Sequence, residues 1–544
     1  MGGTGPAGHG SQRLPAAPSG PQSRPAVTGG SVGPIEADVD AASPRSIVVV
    51  FVALCTGTLL AALDQTIVST ALPTIVGELG GLDHLSWVVT VYLLTSTAVT
   101  PLYGKVSDIY GRKRVYQAAI VIFLVGSLLC ATAQDLPQLI LFRGLQGIGG
   151  GGLMAMAFAI IGDVVSPRER GRYTGILGSV FALASIAGPL LGGFFVDHAS
   201  WRWAFTVNLP FGALALLVTQ RHLHLPRRRA EARVDVVGAL LLVAGVSCVL
   251  LALVWGGNEH PWGSATIVGL FGAGSGLVAA FVAWEGRVEE PILPLRLFRD
   301  RVVAIASVQL FLLGAAIFGA IVFLPVYLQV STGASATTSG LLTLPLMVGV
   351  TATSIASGRW IARTGRYRWW PVAGTGVGAI GMLLLSRVEA DSSRVVTSVG
   401  MVVLGAGMGM VMQTLILAAQ NAVSVRDIGV VSSSVTFFRS MGGSFGVAVL
   451  GAVFTARLGV ELPAHLPAGA LVGADVDVLL NSPEAIRALA PAVREGVVTA
   501  VADSIRVVFL CAVPALLVGF ALAWVLPERP LRETVLDPSV DVAV

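Results

Sequence analysis

The chain has 544 residues, of which 54% are hydrophobic and only 12% charged, and its formal net charge is +4. Soluble globular domains carry about 25% charged residues, so this composition excludes an ordinary soluble protein. Apolar runs of about 20 residues are long enough to cross the hydrocarbon core of a bilayer as helices. Their helical character argues against an outer-membrane barrel, and the sequence predicts an all-α polytopic membrane protein.

The first predicted element is a disordered tail over residues 1–44, which are rich in Gly, Pro, Ser and Ala and contain no apolar run. Fourteen predicted membrane spans follow. In chain order they are 47–72, 87–104, 115–133, 138–163, 173–196, 203–220, 235–255, 265–284, 302–328, 338–360, 369–386, 396–419, 429–456 and 504–526. A second tail over residues 528–544 ends the chain.

Basic residues are concentrated in every second connector, which is the pattern of the cytoplasmic side of a membrane protein. The connector 105–114 contains four Lys or Arg residues, whereas the stretch 77–86 contains none. Both termini are therefore predicted to be cytoplasmic. The longest connector, 457–503, is predicted to be extracytoplasmic, with a surface helix within residues 483–503.

The connectors 104–112 and 358–366 share a pattern, because each begins with a glycine and has a second glycine seven residues later, followed by arginine. If they are equivalent, the chain is a repeat of six spans with two spans inserted, which gives a 6+2+6 order. Parallel six-helix repeats are typical of transporters. The predicted domains are a bundle over 45–220, two inserted helices with linkers over 221–300, and a second bundle over 301–527.

The connector from residue 104 to residue 114 resembles the cytoplasmic signature of the major facilitator superfamily, in which glycine, aspartate, glycine and arginine occur at this spacing. The glycines permit a tight reversal between two helices. We expect Arg112 to pair with Asp163 and Asp108 to cap a helix across the two halves. The predicted gating residues are Gly104, Asp108, Gly111, Arg112 and Asp163. The family often has arginine where this chain has Ile109, and an ordinary polar turn is the alternative.

Span one contains the segment LDQTIVSTALP (63–73), which resembles the first-span motif of the fourteen-span drug:proton antiporter family. Asp64 is the only carboxylate deep inside a span, and such a group is costly enough to indicate a function. Span four contains LFRGLQGIGG (141–150), which resembles the superfamily's arginine-glutamine-glycine motif. Asp64 and Arg143 each lie about 8–9 Å below the outer surface at 1.5 Å per residue. A proton-coupling pair is predicted; a structural carboxylate bonded to Thr66, or two unrelated polar groups, are the alternatives.

Span five contains AGPLLGG (187–193), which resembles the antiporter motif of drug exporters in this superfamily. Proline removes a helix hydrogen bond, and glycines allow a neighbouring helix to approach closely. The resemblance implies a seal against leakage and favours export, whereas a generic helix kink is the alternative. The motif residues are Gly188, Pro189, Gly192 and Gly193.

Several polar residues inside the spans are candidates for a substrate cavity, although they could equally join helices to one another. They are Gln65, Gln146, Gln309, Gln329 and Gln413. Arg439 in span thirteen is an intramembrane cation without an obvious carboxylate partner. The segment WRWAFTVNLP (201–210) fits the family pattern before span six. An aromatic belt at the membrane interface and a role in transport are equally weighted interpretations of this segment.

These features predict a secondary transporter with the major facilitator fold in the cell membrane, which exports amphipathic drugs, antibiotics or related metabolites in exchange for protons. A proton-coupled importer of the same fold is the main alternative, and a polytopic membrane enzyme is a second. No nucleotide-binding loop, catalytic cluster or metal-ligand pattern is present in the sequence. We therefore expect no cofactor, no metal and no nucleic acid, but a monomer that interacts with protons, an amphipathic small molecule and the lipid bilayer.

Overall fold

A computed structural model of the chain describes residues 1–3, 44–79, 85–165, 167–223, 235–257, 259–334, 336–466 and 489–531. The chain divides into two units, Met1–Ala42 and Ser43–Val544, and all the helices below belong to the second. The predicted disordered tail lies outside the described residues except at its ends, and residues 532–544 of the second tail also lie outside them.

The regular structure of the described residues is helical. The helices are α1 (Pro44–Leu79), α2 (Leu85–Tyr110), α3 (Arg112–Thr132), α4 (Leu136–Val164), α5 (Pro167–His198), α6 (Trp203–Thr206), α7 (Asn208–His222), α8 (Val236–Trp255), α9 (Ala265–Glu285), α10 (Arg301–Thr332), α11 (Ala336–Leu342), α12 (Leu344–Thr364), α13 (Trp369–Leu385), α14 (Arg394–Ala422), α15 (Ile428–His465) and α16 (Pro491–Trp524). Two 3₁₀ turns, Leu295–Arg299 and Val425–Asp427, precede α10 and α15.

The helices correspond to the predicted spans, with two spans each divided in two. Span six comprises α6 and α7, and span ten comprises α11 and α12. Ten helical segments of the described chain are long and apolar enough to cross a membrane. The all-α membrane architecture is therefore confirmed, whereas the count of fourteen membrane crossings stays a prediction.

Two helices extend into the predicted connector 457–503, whose position outside the membrane stays a prediction. Helix α15 continues to His465, and α16 already begins at Pro491, so the predicted surface helix is in part the first turns of α16. Hydropathy marks where a helix leaves lipid and does not mark where the helix ends. An ion pair between Arg457 and Glu461, one turn apart, supports α15 beyond its apolar part.

The helices pack in two groups, which contact each other mainly through two pairs of helices. In the first group α4 lies between α2 and α3, and α1 packs on α5 and α7. In the second, α14 lies between α12 and α13, and α10 packs on α15 and α16. The groups meet where α5 contacts α12 and where α2 contacts α15, while α8 and α9 pack mainly on each other.

Glycines determine how closely these helices approach. At the crossing of α13 and α14, a methyl group added to Gly407 would lie 2.6 Å from the Cα atom of Gly378 and 2.6 Å from the carbonyl oxygen of Gly374. Both atoms belong to the backbone and cannot rotate away. The absence of a side chain at Gly407 therefore sets the distance between α13 and α14.

We predict that Gly407→Ala destabilises the protein by about 1–3 kcal/mol, because the added methyl group forces α13 and α14 apart. Thermal unfolding of the purified protein in one detergent measures the change. Gly276→Ala in α9 is the matched control, since no atom lies within 4 Å of its added methyl group. Equal unfolding temperatures for the two variants would contradict the packing argument.

Candidate functional site

The most deeply buried ionic group of the described chain is the pair formed by Asp64 of α1 and Arg143 of α4. Their side chains are 0% and 1% exposed, and Nη1 of Arg143 lies 2.5 Å from Oδ2 of Asp64. Both helices are apolar around these positions, so neither charge has access to water. The pair is electrically neutral, which is the condition under which charges persist in such surroundings.

The second carboxylate oxygen of Asp64 is held by neutral donors from two other helices. The side-chain amides of Gln146 and Asn208 donate to Oδ1 at 2.8 and 3.1 Å, respectively. The same two amides donate to Oγ of Ser127 at 3.0 and 2.9 Å, and Ser127 donates to the carbonyl oxygen of Phe205. The carboxylate thus accepts hydrogen bonds from three side chains on α4 and α7.

Arg143 is held in place by further contacts. Its Nε donates to the carbonyl oxygen of Val88 at 3.2 Å, and Nη1 also donates to Oε1 of Gln146 at 2.7 Å. The guanidinium lies over the ring of Tyr92, with its carbon 4.3 Å from the ring centroid. Protonation of Asp64 would leave this cation without its counter-charge, so a proton cannot bind there without a change in the surrounding helices.

The structure brings the predicted residues Asp64, Arg143 and Gln146 together. Sequence reasoning missed Ser127 and Asn208. Asn208 lies in the segment 201–210, whose family pattern was the available signal, whereas a single serine in an apolar span gives none. Their position became apparent only when α3, α4 and α7 were packed around α1.

The span-five motif lies against the same stretch of α1. The hydroxyl of Thr66 donates to the carbonyl oxygen of Ala184 at 3.1 Å, and a methyl group added to Gly188 would overlap the Thr66 side chain. Gly192 faces the backbone of Ile67, and Gly193 follows it, partly buried. On its other side, Pro189 lies close to Gly340 of α11. The motif therefore joins α1 to the second group of helices.

The predicted gating residues surround the turn between α2 and α3. Arg112 forms ion pairs with Asp163 at 2.7 Å and with Asp108 at 2.6 Å, and it also donates to Ser107. Gly111 makes the turn in a left-handed conformation, with φ of 92°. In the described chain no hydrogen bond joins Asp108 to the first turn of α15, so the predicted helix cap is replaced by the pair with Arg112.

This cluster also touches the second group of helices. A methyl group added to Gly104 would lie 2.7 Å from the carbonyl oxygen of Gly429 in α15, and one added to Gly429 would overlap the Arg112 guanidinium. Burial of the carboxyl group raises the pKa of Asp108 to about 7, against the opposing effect of Arg112. The cluster therefore combines a close helix contact with a group that titrates near neutral pH.

The predicted cavity glutamines separate into different environments. Gln309 donates to the carbonyl oxygen of Gly519 at 2.7 Å, and Gln329 donates to Ser339 at 3.1 Å, so both join helices. Gln65 is partly buried beside Asp64. Gln413 is 2% exposed, and neither polar atom of its side chain has a hydrogen-bond partner.

Among the described residues, one group has the spacing of metal ligands, namely Glu461 and His465 of α15 with Asp503 of α16. Nδ1 of His465 lies 3.0 Å from the carbonyl oxygen of Glu461 and 3.8 Å from its carboxylate, and Nε2 lies 3.8 Å from the carboxylate of Asp503. The group therefore brings polar side chains of α15 and α16 together. No element of the Asp64 site contributes to it.

Comparison with known proteins gives four findings. The family model described as the Major Facilitator Superfamily matches residues 54–447. An uncharacterised MFS-type transporter of Mycobacterium tuberculosis is 43% identical over 486 residues, which cover 89% of this chain and 70% of the relative. The multidrug transporter protein MdtP of Bacillus subtilis is 42% identical over 410 residues, 75% of this chain and 76% of the relative. The proton:xylose symporter XylE has a similar fold, with a TM-score of 0.60 at 14% identity over 90% of this chain and 98% of the symporter.

We predict that Asp64→Asn and Arg143→Gln each lower the free energy of unfolding by about 3–5 kcal/mol, because each leaves one buried charge unpaired. The double variant should recover most of this loss, since it buries no charge. Thermal unfolding at one pH measures all three. Arg457→Gln, at an arginine that is 44% exposed, is the control and should change the free energy of unfolding by at most about 1 kcal/mol. Additive losses at Asp64 and Arg143 would show that the pair is not a unit.

A second prediction concerns Asp108. Its pKa of about 7 exceeds the unfolded value of 3.8, so the folded chain binds this proton more tightly than the unfolded chain does. The resulting stabilisation is complete below the unfolded pKa and is lost as the pH rises through about 7. Between pH 5 and 8 the wild-type protein should therefore lose more thermal stability than Asp108→Asn. Parallel stability profiles for the two proteins would contradict the raised pKa.

Proposed function

The chain belongs to the major facilitator superfamily, and on this basis we propose that it is a proton-coupled efflux transporter of amphipathic small molecules. Members of this superfamily are membrane transporters, so the alternative of a membrane enzyme is set aside. The observation that carries the proposal is the sealed network around Asp64, in which a fully buried carboxylate has an arginine as its counter-charge. Such a network stores or releases a proton only when the helices around it move.

Proton coupling follows from the charge balance of this network. The ionised pair is neutral and stable when closed, whereas protonated Asp64 is compatible only with an arrangement that gives Arg143 water or another acceptor. Protonation from outside would therefore favour one conformation of α1 and α4, and deprotonation inside would favour the other. In the proposed cycle the protonated form releases the substrate outside, and the ionised form binds it from the cytoplasm.

The close contact between α1 and α5 offers a route by which this change reaches the rest of the molecule. Thr66 lies two residues after Asp64 and is bonded to Ala184 in α5. There is no free space at this contact, because a methyl group added to Gly188 would overlap the Thr66 side chain. A shift of α1 would thus displace α5, and α5 packs along α12 of the second group.

The Arg112 cluster is the proposed gating contact, and it lies at the end of the helices opposite to Asp64. It holds α2, α3 and α4 together and touches Gly429 of α15, so the two groups of helices are in contact there. The pattern of basic connectors predicts that this end lies in the cytoplasm and that both chain termini lie on the same side. In this assignment the present conformation is closed towards the cytoplasm, and opening would break the contact between α2 and α15.

The proposed architecture is a monomer with two six-helix domains, over 45–220 and 301–527, and the helices of 221–300 inserted between them. Export is favoured over import by the span-five motif, and a drug substrate is favoured by the similarity to the multidrug transporter protein MdtP. Exchange of one proton for a neutral drug moves one charge across the membrane. The membrane potential then contributes about 2.3 kcal/mol per 100 mV to each cycle.

The proposal predicts that candidate drugs release protons from acid-loaded inverted vesicles that contain the wild-type protein. Asp64→Asn should reduce this drug-triggered proton efflux at least about tenfold, because an amide cannot carry the proton. The fluorescence of a pH-sensitive dye measures the efflux at matched expression. Asp503→Asn, a partly exposed carboxylate outside the site, is the control and should behave like the wild type. Normal exchange by Asp64→Asn would exclude this residue as the coupling group.

A further inference from the structure

Arg439 of α15 is a cation inside the helix bundle with no acidic partner. Among the described residues no ion pair includes it, and its Nε has no hydrogen-bond partner. The one polar contact of its side chain is with Sδ of Met412 in α14, at 3.5 Å from Nη1. Sulfur is a weak acceptor, so the guanidinium has most of its donors unused.

The position of Arg439 rules out a snorkelling side chain at a membrane surface. It lies about 16 Å along α15 from Ile428, which is near the middle of a bilayer about 30 Å thick. A charge at this depth is costly, and natural proteins retain one there mainly for function. Asp64 and Arg143 neutralise each other. The remaining charge deep within the predicted spans is therefore the positive charge of Arg439.

A second unsatisfied group lies on the neighbouring helix α14 at a similar depth. Gln413 directly follows Met412 in α14 and lies about 14 Å from the Ala422 end of that helix, at a similar depth to Arg439. Both polar atoms of its side chain lack partners although the residue is 2% exposed. A methyl group added to Gly178 in α5 would be 3.1 Å from its Nε2, so the amide points towards the first group of helices.

Helix α15 packs closely on α10 around Arg439. Three residues after it, a methyl group added to Gly442 would lie 2.7 Å from the carbonyl carbon of Phe311 in α10, and one added to Gly314 of α10 would lie 3.2 Å from the carbonyl carbon of Arg439 itself. The Arg439 side chain instead contacts α14, where the flexible thioether of Met412 provides an apolar, adaptable neighbour.

We propose that Arg439 and Gln413 are the polar anchors of the substrate site, and that the substrates are amphipathic organic acids whose anionic oxygen binds Arg439. This inference rests on the proposed transport function and specifies its substrate class. The guanidinium supplies the missing counter-charge for a carboxylate through charge-assisted hydrogen bonds. Gln413 offers one donor group and one acceptor to a neutral polar group, and the Met412 side chain contacts the apolar body.

An acidic substrate also changes the energetics of the cycle. When a monovalent anion leaves the cell and one proton enters, two elementary charges move in the same direction. The membrane potential then drives both movements, in contrast to the exchange of a monovalent cation for a proton, which moves no net charge.

The test is equilibrium binding to the purified full-length protein in nanodiscs, with an aromatic carboxylic-acid dye and the methyl ester of the same dye. The wild type should bind the acid at least about tenfold more tightly than the ester, because only the acid forms a charge-assisted bond. Arg439→Gln should abolish this preference by weakening the acid alone. Arg439→Lys, which keeps the charge, should retain part of it, and Gln413→Leu should weaken both dyes.

Thermal unfolding separates this role from a structural one. Removal of a cation without a counter-charge should leave the unfolding temperature of Arg439→Gln equal to or above that of the wild type. Arg457→Gln, an exposed arginine on the same helix, should alter neither dye. Equal binding of acid and ester, equal weakening of both by Arg439→Gln, or no saturable binding of the acid would each overturn the proposal. Because no proton gradient is present, these results are independent of whether Asp64 couples transport to protons.

Discussion

The ion pair between Asp64 and Arg143 is the interaction on which the interior of the first six helices depends. Two charges in an apolar bundle persist only as a neutral pair with satisfied hydrogen bonds. Gln146 and Asn208 provide those bonds from α4 and α7, and the hydroxyl of Ser127 in α3 holds both amides. The arrangement fixes α1, α3, α4 and α7 relative to one another, and any change in the protonation of Asp64 must alter all of these contacts together.

Close glycine contacts extend this dependence beyond the pair. Gly188 and Gly192 leave no space between α1 and α5, and Gly104 leaves none between α2 and α15. Packed interiors change between discrete arrangements and do not deform continuously. A transporter built in this way can link the protonation of one carboxylate to the contact between its two halves, which is the requirement for alternating access.

The two halves surround the arginines within their spans differently. Arg143 has a carboxylate, two other acceptors and an aromatic ring around it, whereas Arg439 has the sulfur of Met412. The first arrangement is complete without a ligand, as expected for a coupling site. The second is incomplete, as expected for a site whose missing partner is the substrate. In this proposal, the first half binds the proton and the second half recognises the charge of the substrate.

The sequence alone determined the all-α membrane class, most helix positions and the family, because apolar spans, basic connectors and short glycine motifs are local features of the chain. It also identified Asp64, Arg143 and the Arg112 cluster, since charges within or beside apolar spans are conspicuous. It did not reveal that α15 and α16 continue beyond their apolar spans, because hydropathy reports lipid contact and not helix length. Only the tertiary structure added Ser127 and Asn208 to the site and distinguished Gln413 from Gln309. Hydrogen-bond satisfaction depends on which helices are neighbours, and that information is not local in the sequence.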